Sequence, residues 1–232
     1  MRLHSLVCLI AWLAMAGGAV AQSRVIVIDA GHGGEDPGYY SWTGHPEAEL
    51  SLRIAQRIEA RLTAHGGLDV RMTRSGEGGP SDETRLAMAN AAGADLLLSI
   101  HADVASTRAS ARGLIIYAVS DLARMQVVAR TVELGLAANR REAGRALDER
   151  LARERAFLTT LDTALPEDLP LVIDTGRGGL FDILMDAGTP ALFVEFPFLS
   201  NTEDAVPPPL TDAQIAVVNQ LADAVIAHYA QD

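Results

Sequence analysis

Arg24 to Asp29 reads Arg-Val-Ile-Val-Ile-Asp, an unbroken β-branched run closed by an acid. Such a run, with no polar alternation, belongs to a strand covered on both faces, and strands of that kind build parallel sheets whose crossovers are helices. The rest of the chain keeps the rhythm that this demands. Leu50, Ile54, Ile58 and Leu62 recur at intervals of four, which predicts a helix over 47–65, with Pro46 near its start and Gly66-Gly67 as its stop. A strand is expected at 68–73, a helix at 82–92, a buried strand at 95–101 (DLLLSIH) and a fourth strand at 113–119. Residues 121–160 read as helical, 180–185 as a short helix, 191–196 as the last strand and 212–229 as the closing helix, with Pro207-Pro208-Pro209 as a stiff connector. The expected fold is α/β: a single domain with a mostly parallel open sheet flanked by helices.

Residues 1–21 stand outside that domain. Met1 and Arg2 form a short positive start, Leu6 to Ala16 an apolar run, and Ala19-Val20-Ala21 a small-x-small cleavage site before Gln22. This is the pattern of a cleaved signal peptide; the apolar run is shorter than the roughly 20 residues a membrane span needs, so no stable membrane anchor is expected after cleavage. Export to the periplasm or cell envelope follows. Cys8, the single cysteine, lies within the apolar run. The processed chain would have no thiol, which excludes a cysteine nucleophile, a Cys-ligated metal and a disulfide scaffold. Thirty acidic against 19 basic residues give a net charge of −11, and no Lys/Arg cluster is present, so nucleic acid is not an expected partner.

In open α/β sheets ligands bind beyond the carboxyl ends of the strands, which singles out four positions. His32 sits in Asp29-Ala30-Gly31-His32-Gly33-Gly34, after the first strand, where glycines let the backbone turn sharply and leave an imidazole free. The loop lacks the spacing of a dinucleotide fingerprint and the lysine of a P-loop. His101 ends the third buried strand, a place where a lone histidine is often only a hydrogen-bonded structural residue. Glu47 falls in the first turn of its helix on the face of Leu50 and Ile54, so it should point inward; an acid complementing the helix dipole is the alternative, for Glu47 or Glu49 alike. Glu195 lies within Leu192-Phe193-Val194-Glu195-Phe196, where burying a carboxylate is costly without a functional partner. Together, two histidines and two glutamates suit a zinc site of the His2Glu type, with the remaining glutamate acting on water or the leaving group. His45, His65 and His228 read as a loop or cap residue, a helix C-terminal residue and a surface residue. Ser99 and Ser200 lack the surroundings of a serine nucleophile.

These residues carry a family resemblance. Val25 to Gly38 (VIVIDAGHGGEDPG) resembles the opening motif of the zinc-dependent N-acetylmuramoyl-L-alanine amidases. Glu47 to Leu52 resembles the family's ligand-helix start; Arg85, Ala89-Asn90, Ala94-Asp95 and Ser99 to Asp103 resemble its next blocks, and Arg112-Gly113 and Pro190 to Asn201 (PALFVEFPFLSN) its later ones. The resemblance implies a catalytic domain over 22–232, zinc held by His32, Glu47 and His101, and Glu195 as the catalytic glutamate. It implies hydrolysis of the amide joining N-acetylmuramic acid to L-alanine of the peptidoglycan stem peptide, in wall remodelling or daughter-cell separation. Asp103 stands where the family usually has Asn, Pro197 where it has glycine, and Asp186 near a usual basic residue. Segment 120–176 is unmatched. Its charged part, from Arg140 to Arg155, reads as a solvated helix face. In some family members a helix placed here covers the zinc cleft until an activator protein removes it, so an inhibitory lid is the competing expectation. A silent relative that binds peptidoglycan or a division partner, and a zinc peptidase acting within stem peptides, are the alternative functions.

Overall fold

The computed structural model describes residues 23–103, 112–177, 181–201 and 209–230. The signal peptide expected at 1–21 lies outside them.

Six strands form one sheet in the order β2-β1-β3-β6-β4-β5. They are β1 (Arg24–Ala30), β2 (Leu68–Met72), β3 (Leu96–Asp103), β4 (Leu114–Tyr117), β5 (Leu171–Asp174) and β6 (Ala191–Phe198). β2, β1, β3 and β6 run parallel, whereas β4 is antiparallel to β6 and parallel to β5. The expected mostly parallel sheet is therefore present. β5 goes beyond the expected elements: four residues long and on the sheet edge, with Val172 and Ile173 exposed, its apolar run of Leu171 to Ile173 is too short to announce a strand by itself.

The sheet is covered on both faces, as the Val-Ile run demands. Ile26, Ile28, Leu98, Ile100, Leu192 and Val194 face helices α1 (Glu47–His65) and α6 (Asp212–Tyr229). Val25, Val27, Leu97 and Phe193 face α2 (Asp82–Ala92), α3 (Arg124–Glu133) and the short α5 (Asp182–Met185). Helix α1 buries Leu50, Ile54, Ile58 and Leu62, its four-residue stripe, and Gly66 at φ 78° ends it. Ser81 caps α2 by accepting a hydrogen bond from the Thr84 N–H, and Thr211 with Gln214 forms a capping box on α6.

The expected helix over 121–160 is divided. A 3-10 turn at Asp121–Ala123 leads into α3; Gly135 at φ 71° breaks the chain, and Asn139 caps α4 (Arg140–Ala164) by accepting from the Arg141 and Glu142 N–H groups. Nor is α4 wholly a solvated face. Arg150 and Glu154 are buried, with Arg150 Nε 2.7 Å from Glu154 Oε1. The guanidinium also donates to the Ala187 and Leu184 carbonyls, and Glu154 Oε1 accepts from the Ala191 N–H. This buried pair fastens α4 across the amino end of β6. Leu147 and Leu151 then pack on one side of the sheet, and Phe157 and Leu161 on the other.

Candidate metal centre

The carboxyl ends of β1 and β3 bring three of the four predicted side chains together. His32 Nε2 and His101 Nδ1 each lie 3.0 Å from Glu47 Oε1, and the three prospective ligand atoms fall within 4.8 Å of one another. Glu47 reaches the site because the α1 face that buries Leu50 and Ile54 also carries position 47, and it is itself buried. Its carboxylate accepts from the Ala102 N–H at Oε1 and the Tyr39 N–H at Oε2.

Glycine shapes the space around the imidazoles. A methyl group at Gly31 would stand 2.2 Å from His101 Cε1, and one at Gly38 would stand 2.7 Å from both Glu47 Oε2 and His32 Cδ2. His32 itself adopts a left-handed φ of 59°, a conformation that costs a non-glycine residue energy and must be held by its surroundings. Arg85 holds it, donating to the His32 and Ala30 carbonyls while paired with buried Asp29 at 2.6 Å. Arg74 donates to the carbonyls of Ala30, Gly31 and Ala48. Asp29 also accepts from Thr73 and Ser99 hydroxyls. On the other side of His101, the Phe193 ring stacks with centroids 4.1 Å apart.

Hydrogen bonding orients the His32 ring. His32 Nδ1 lies 2.7 Å from Asp36 Oδ2; an ionised carboxylate can only accept, so Nδ1 carries hydrogen and Nε2 is the atom turned toward Glu47. Burial pushes the His32 pKa down, but hydrogen bonds and charge from Glu47 and Asp36 outweigh it and raise the group to about 9. Burial pushes Glu47 up, and hydrogen bonds from His101 and His32 outweigh that too, holding it at about 2. Without metal, positive charge on imidazole therefore sits where a cation would face the carboxylate. Two imidazole nitrogens and one carboxylate oxygen, with no sulfur, fit a divalent ion such as zinc that keeps a position open.

Glu195, the fourth predicted residue, is the register partner of His101 on adjacent parallel strands, so the two side chains leave the same face of the sheet. A register shift follows at once: His101 pairs with Glu195, and Asp103 with Phe198. His32 and His101 also line a cavity of about 710 Å³, together with Glu35, Asp82, Phe181 and Asp182. Among the described residues, none from 112–177 lines this cavity, so helix α4 does not cover it there.

Other expectations meet different fates. Asp186 is engaged by Arg130 of α3, which also holds Asp182, so it braces α5. The side chain of Asp103 lies outside the described set. His45 lies 3.4 Å from Glu49, and His65 is bonded to the Gly66 carbonyl at the helix end. His228 is half-buried against Thr160 and Phe157 of α4, more enclosed than the surface position expected. Sequence reasoning misses Asp36 and Arg74. Asp36 has the clearer signal, an acid four residues after a candidate ligand; Arg74 follows a strand with nothing to mark its inward course.

The fold and donor set define a class: α/β proteins with a His2Glu group able to hold a metal ion at the carboxyl ends of a mostly parallel sheet. Residues 26–227 match the profile of the Amidase_3 family, described as N-acetylmuramoyl-L-alanine amidase, and the chain belongs to that family. N-acetylmuramoyl-L-alanine amidase AmiA of Escherichia coli (strain K12) is 41% identical over 98 residues, 42% of this chain and 33% of AmiA. AmiC of Neisseria meningitidis serogroup B is 44% identical over 93 residues, 40% of this chain and 22% of AmiC. The matched stretch thus spans a third or less of either relative. The catalytic domain of the amidase CwlV from Bacillus (Paenibacillus) polymyxa var. colistinus shares the fold, with a TM-score of 0.60, 22% identity, and coverage of 88% of this chain and 97% of that one.

Proposed function

We propose that this chain is an exported, zinc-dependent peptidoglycan hydrolase that cleaves the amide between the lactyl group of N-acetylmuramic acid and L-alanine of the stem peptide. The observation that carries the reading is the convergence of His32, Glu47 and His101 on one point beside an open cavity, in a chain of this family. His32 through Nε2, Glu47 through its carboxylate and His101 through its imidazole would hold the ion. When bound, zinc supplies Lewis acidity, polarising a carbonyl and acidifying water.

The chain's own residues do the rest. Asp36 orients the His32 ring, and Gly31 and Phe193 confine the His101 ring, so the donors are set before metal arrives. Glu195, on the same sheet face as His101, takes the proton of the attacking water. As the carbon–nitrogen bond breaks, it returns that proton to the α-amine of L-alanine, leaving a free lactyl carboxylate. The charged side chains of the cavity wall, Glu35, Asp82 and Asp182, offer partners to a charged stem peptide.

Export rests on the leader at 1–21, and no helix among the described residues is long and apolar enough to cross a membrane. The protein would act in the periplasm or envelope. The course of α4 under β6 supports a cavity that opens without an activator to displace that helix.

The test is digestion of purified peptidoglycan, with mass spectrometry of the soluble products. Stem peptides with a free N-terminal L-alanine support the proposal. Shorter peptides would assign a peptidase, and no release by zinc-loaded protein would assign a silent binder.

A further inference from the structure

Two of the chain's four tyrosines and one of its two tryptophans fall within four residues, Tyr39, Tyr40 and Trp42. All three are exposed, at 65%, 60% and 63%. They stand on a tied hairpin. The Ser41 N–H donates to the His45 carbonyl at 2.8 Å, the Ser41 hydroxyl accepts from the His45 N–H at 3.0 Å, and Tyr40 bridges Pro46. Both ends clasp the metal centre, for the Glu47 N–H donates to the Tyr39 carbonyl and the Tyr39 N–H to the Glu47 carboxylate.

We infer that this hairpin is a carbohydrate platform that holds the glycan strand of the substrate; the inference rests on the amidase reading above. Rigid aromatic side chains held out into water bind at little entropic cost, and each has an apolar face with a polar edge. A pyranose ring matches that chemistry, with C–H groups on its faces and hydroxyls around its rim. Residues 37–46 hold no Asp, Glu, Lys or Arg, on a chain of net charge −11. A neutral polymer of N-acetylated sugars suits that surface; a polyanion does not. Linkage adds a geometric reason. The muramoyl sugar is joined through its lactyl ether to the scissile carbonyl, so a sugar must lie beside the ion whenever the amide is in place. The cavity takes its described lining from other residues. The glycan therefore lies on the hairpin and the charged stem peptide in the cavity.

Trp42 reports directly on the platform. In the chain carrying Trp12→Phe it is the single tryptophan, with or without the leader. Peptide-free glycan strands should change its fluorescence saturably, and free stem peptide should not. On zinc-loaded protein, the double variant Tyr40→Ser/Trp42→Ser should raise KM for long-chain glycopeptide about tenfold, or about 1.4 kcal/mol, with kcat moving far less. Preference for long over single-disaccharide substrates should vanish with it. Circular dichroism and zinc content confirm that the variant is folded. A fluorescence response to peptide alone, or no response to glycan with KM unmoved, overturns the platform. If the parent protein releases no L-alanine-ended peptide, the amidase reading fails, and glycan titration of Trp42 still decides the platform by itself.

Discussion

Replacing Gly31 with alanine tests how the metal centre is built. Gly31 is not among the glycines at positive φ, so its backbone accepts alanine and the effect is confined to the added methyl. That carbon would stand 2.2 Å from His101 Cε1 and 2.3 Å from Nε2. Nonbonded carbons rest about 3.5–4.0 Å apart, so the ring must retreat by more than about 1 Å. Phe193, stacked on the ring at 4.1 Å, blocks a simple slide away from Gly31. Metal–ligand distances tolerate only about 0.2 Å, and a 1 Å misplacement of a reacting group costs about 10²-fold in rate. Gly31→Ala should therefore weaken zinc binding by about 100-fold in a competitive chelator titration and lower kcat/KM at least as much. Far-UV circular dichroism should remain native. Gly76→Ala is the matched control, since a methyl there meets nothing within 4 Å. Zinc affinity in Gly31→Ala within threefold of the parent, with full activity, would refute the confinement of His101.

Asp36→Asn removes the charge that orients His32 and should cost 10–100-fold in zinc affinity, about what supporting carboxylates contribute at such sites, read by the same titration. The metal-free protein should show a stability optimum near pH 4.5–6.5 when its melting temperature is followed in chelator. Glu47, lowered to about 2, contributes stability present above its ordinary 4.5 and lost as pH falls toward 2. His32, raised to about 9, contributes stability present below 6.5 and lost as pH rises through 9. Zinc should remove the alkaline loss, because a ligating imidazole is neutral; a flat alkaline limb in chelator would contradict these assignments. Arg150→Met strands the buried Glu154 carboxylate and should destabilise the fold by about 3–5 kcal/mol, lowering Tm by roughly 10 °C. Adding Glu154→Leu should recover part of that loss. Zinc affinity should stay constant in both variants, because the pair sits at the amino end of β6, away from His32 and His101.

The sequence exposes what local physics writes into periodic patterns. The Val-Ile run of β1 and the four-residue stripe of α1 are legible because each buries one continuous surface. The three side chains of the metal centre are legible for a related reason: each is a polar residue at the end of a strand or on an apolar helix face, where only a partner justifies it. Other features carry no such mark. β5 lies half-exposed on an edge, and its three apolar residues make too short a run to stand out. Arg150 and Glu154 repeat the i,i+4 spacing of a surface pair, and only the carbonyls of Leu184 and Ala187 and the Ala191 N–H reveal that they are enclosed. Gly31 and Gly38 read as turn formers in sequence; the structure shows that the missing side chain makes room for imidazole and carboxylate.

His32, Glu47 and His101 are proposed to hold one zinc ion. Zinc K-edge X-ray absorption on the purified protein tests it most directly. One zinc per chain is expected, with nitrogen and oxygen neighbours at about 2.0–2.2 Å and outer-shell scattering from two imidazoles. Substoichiometric zinc, or a spectrum with one imidazole or none, would contradict it.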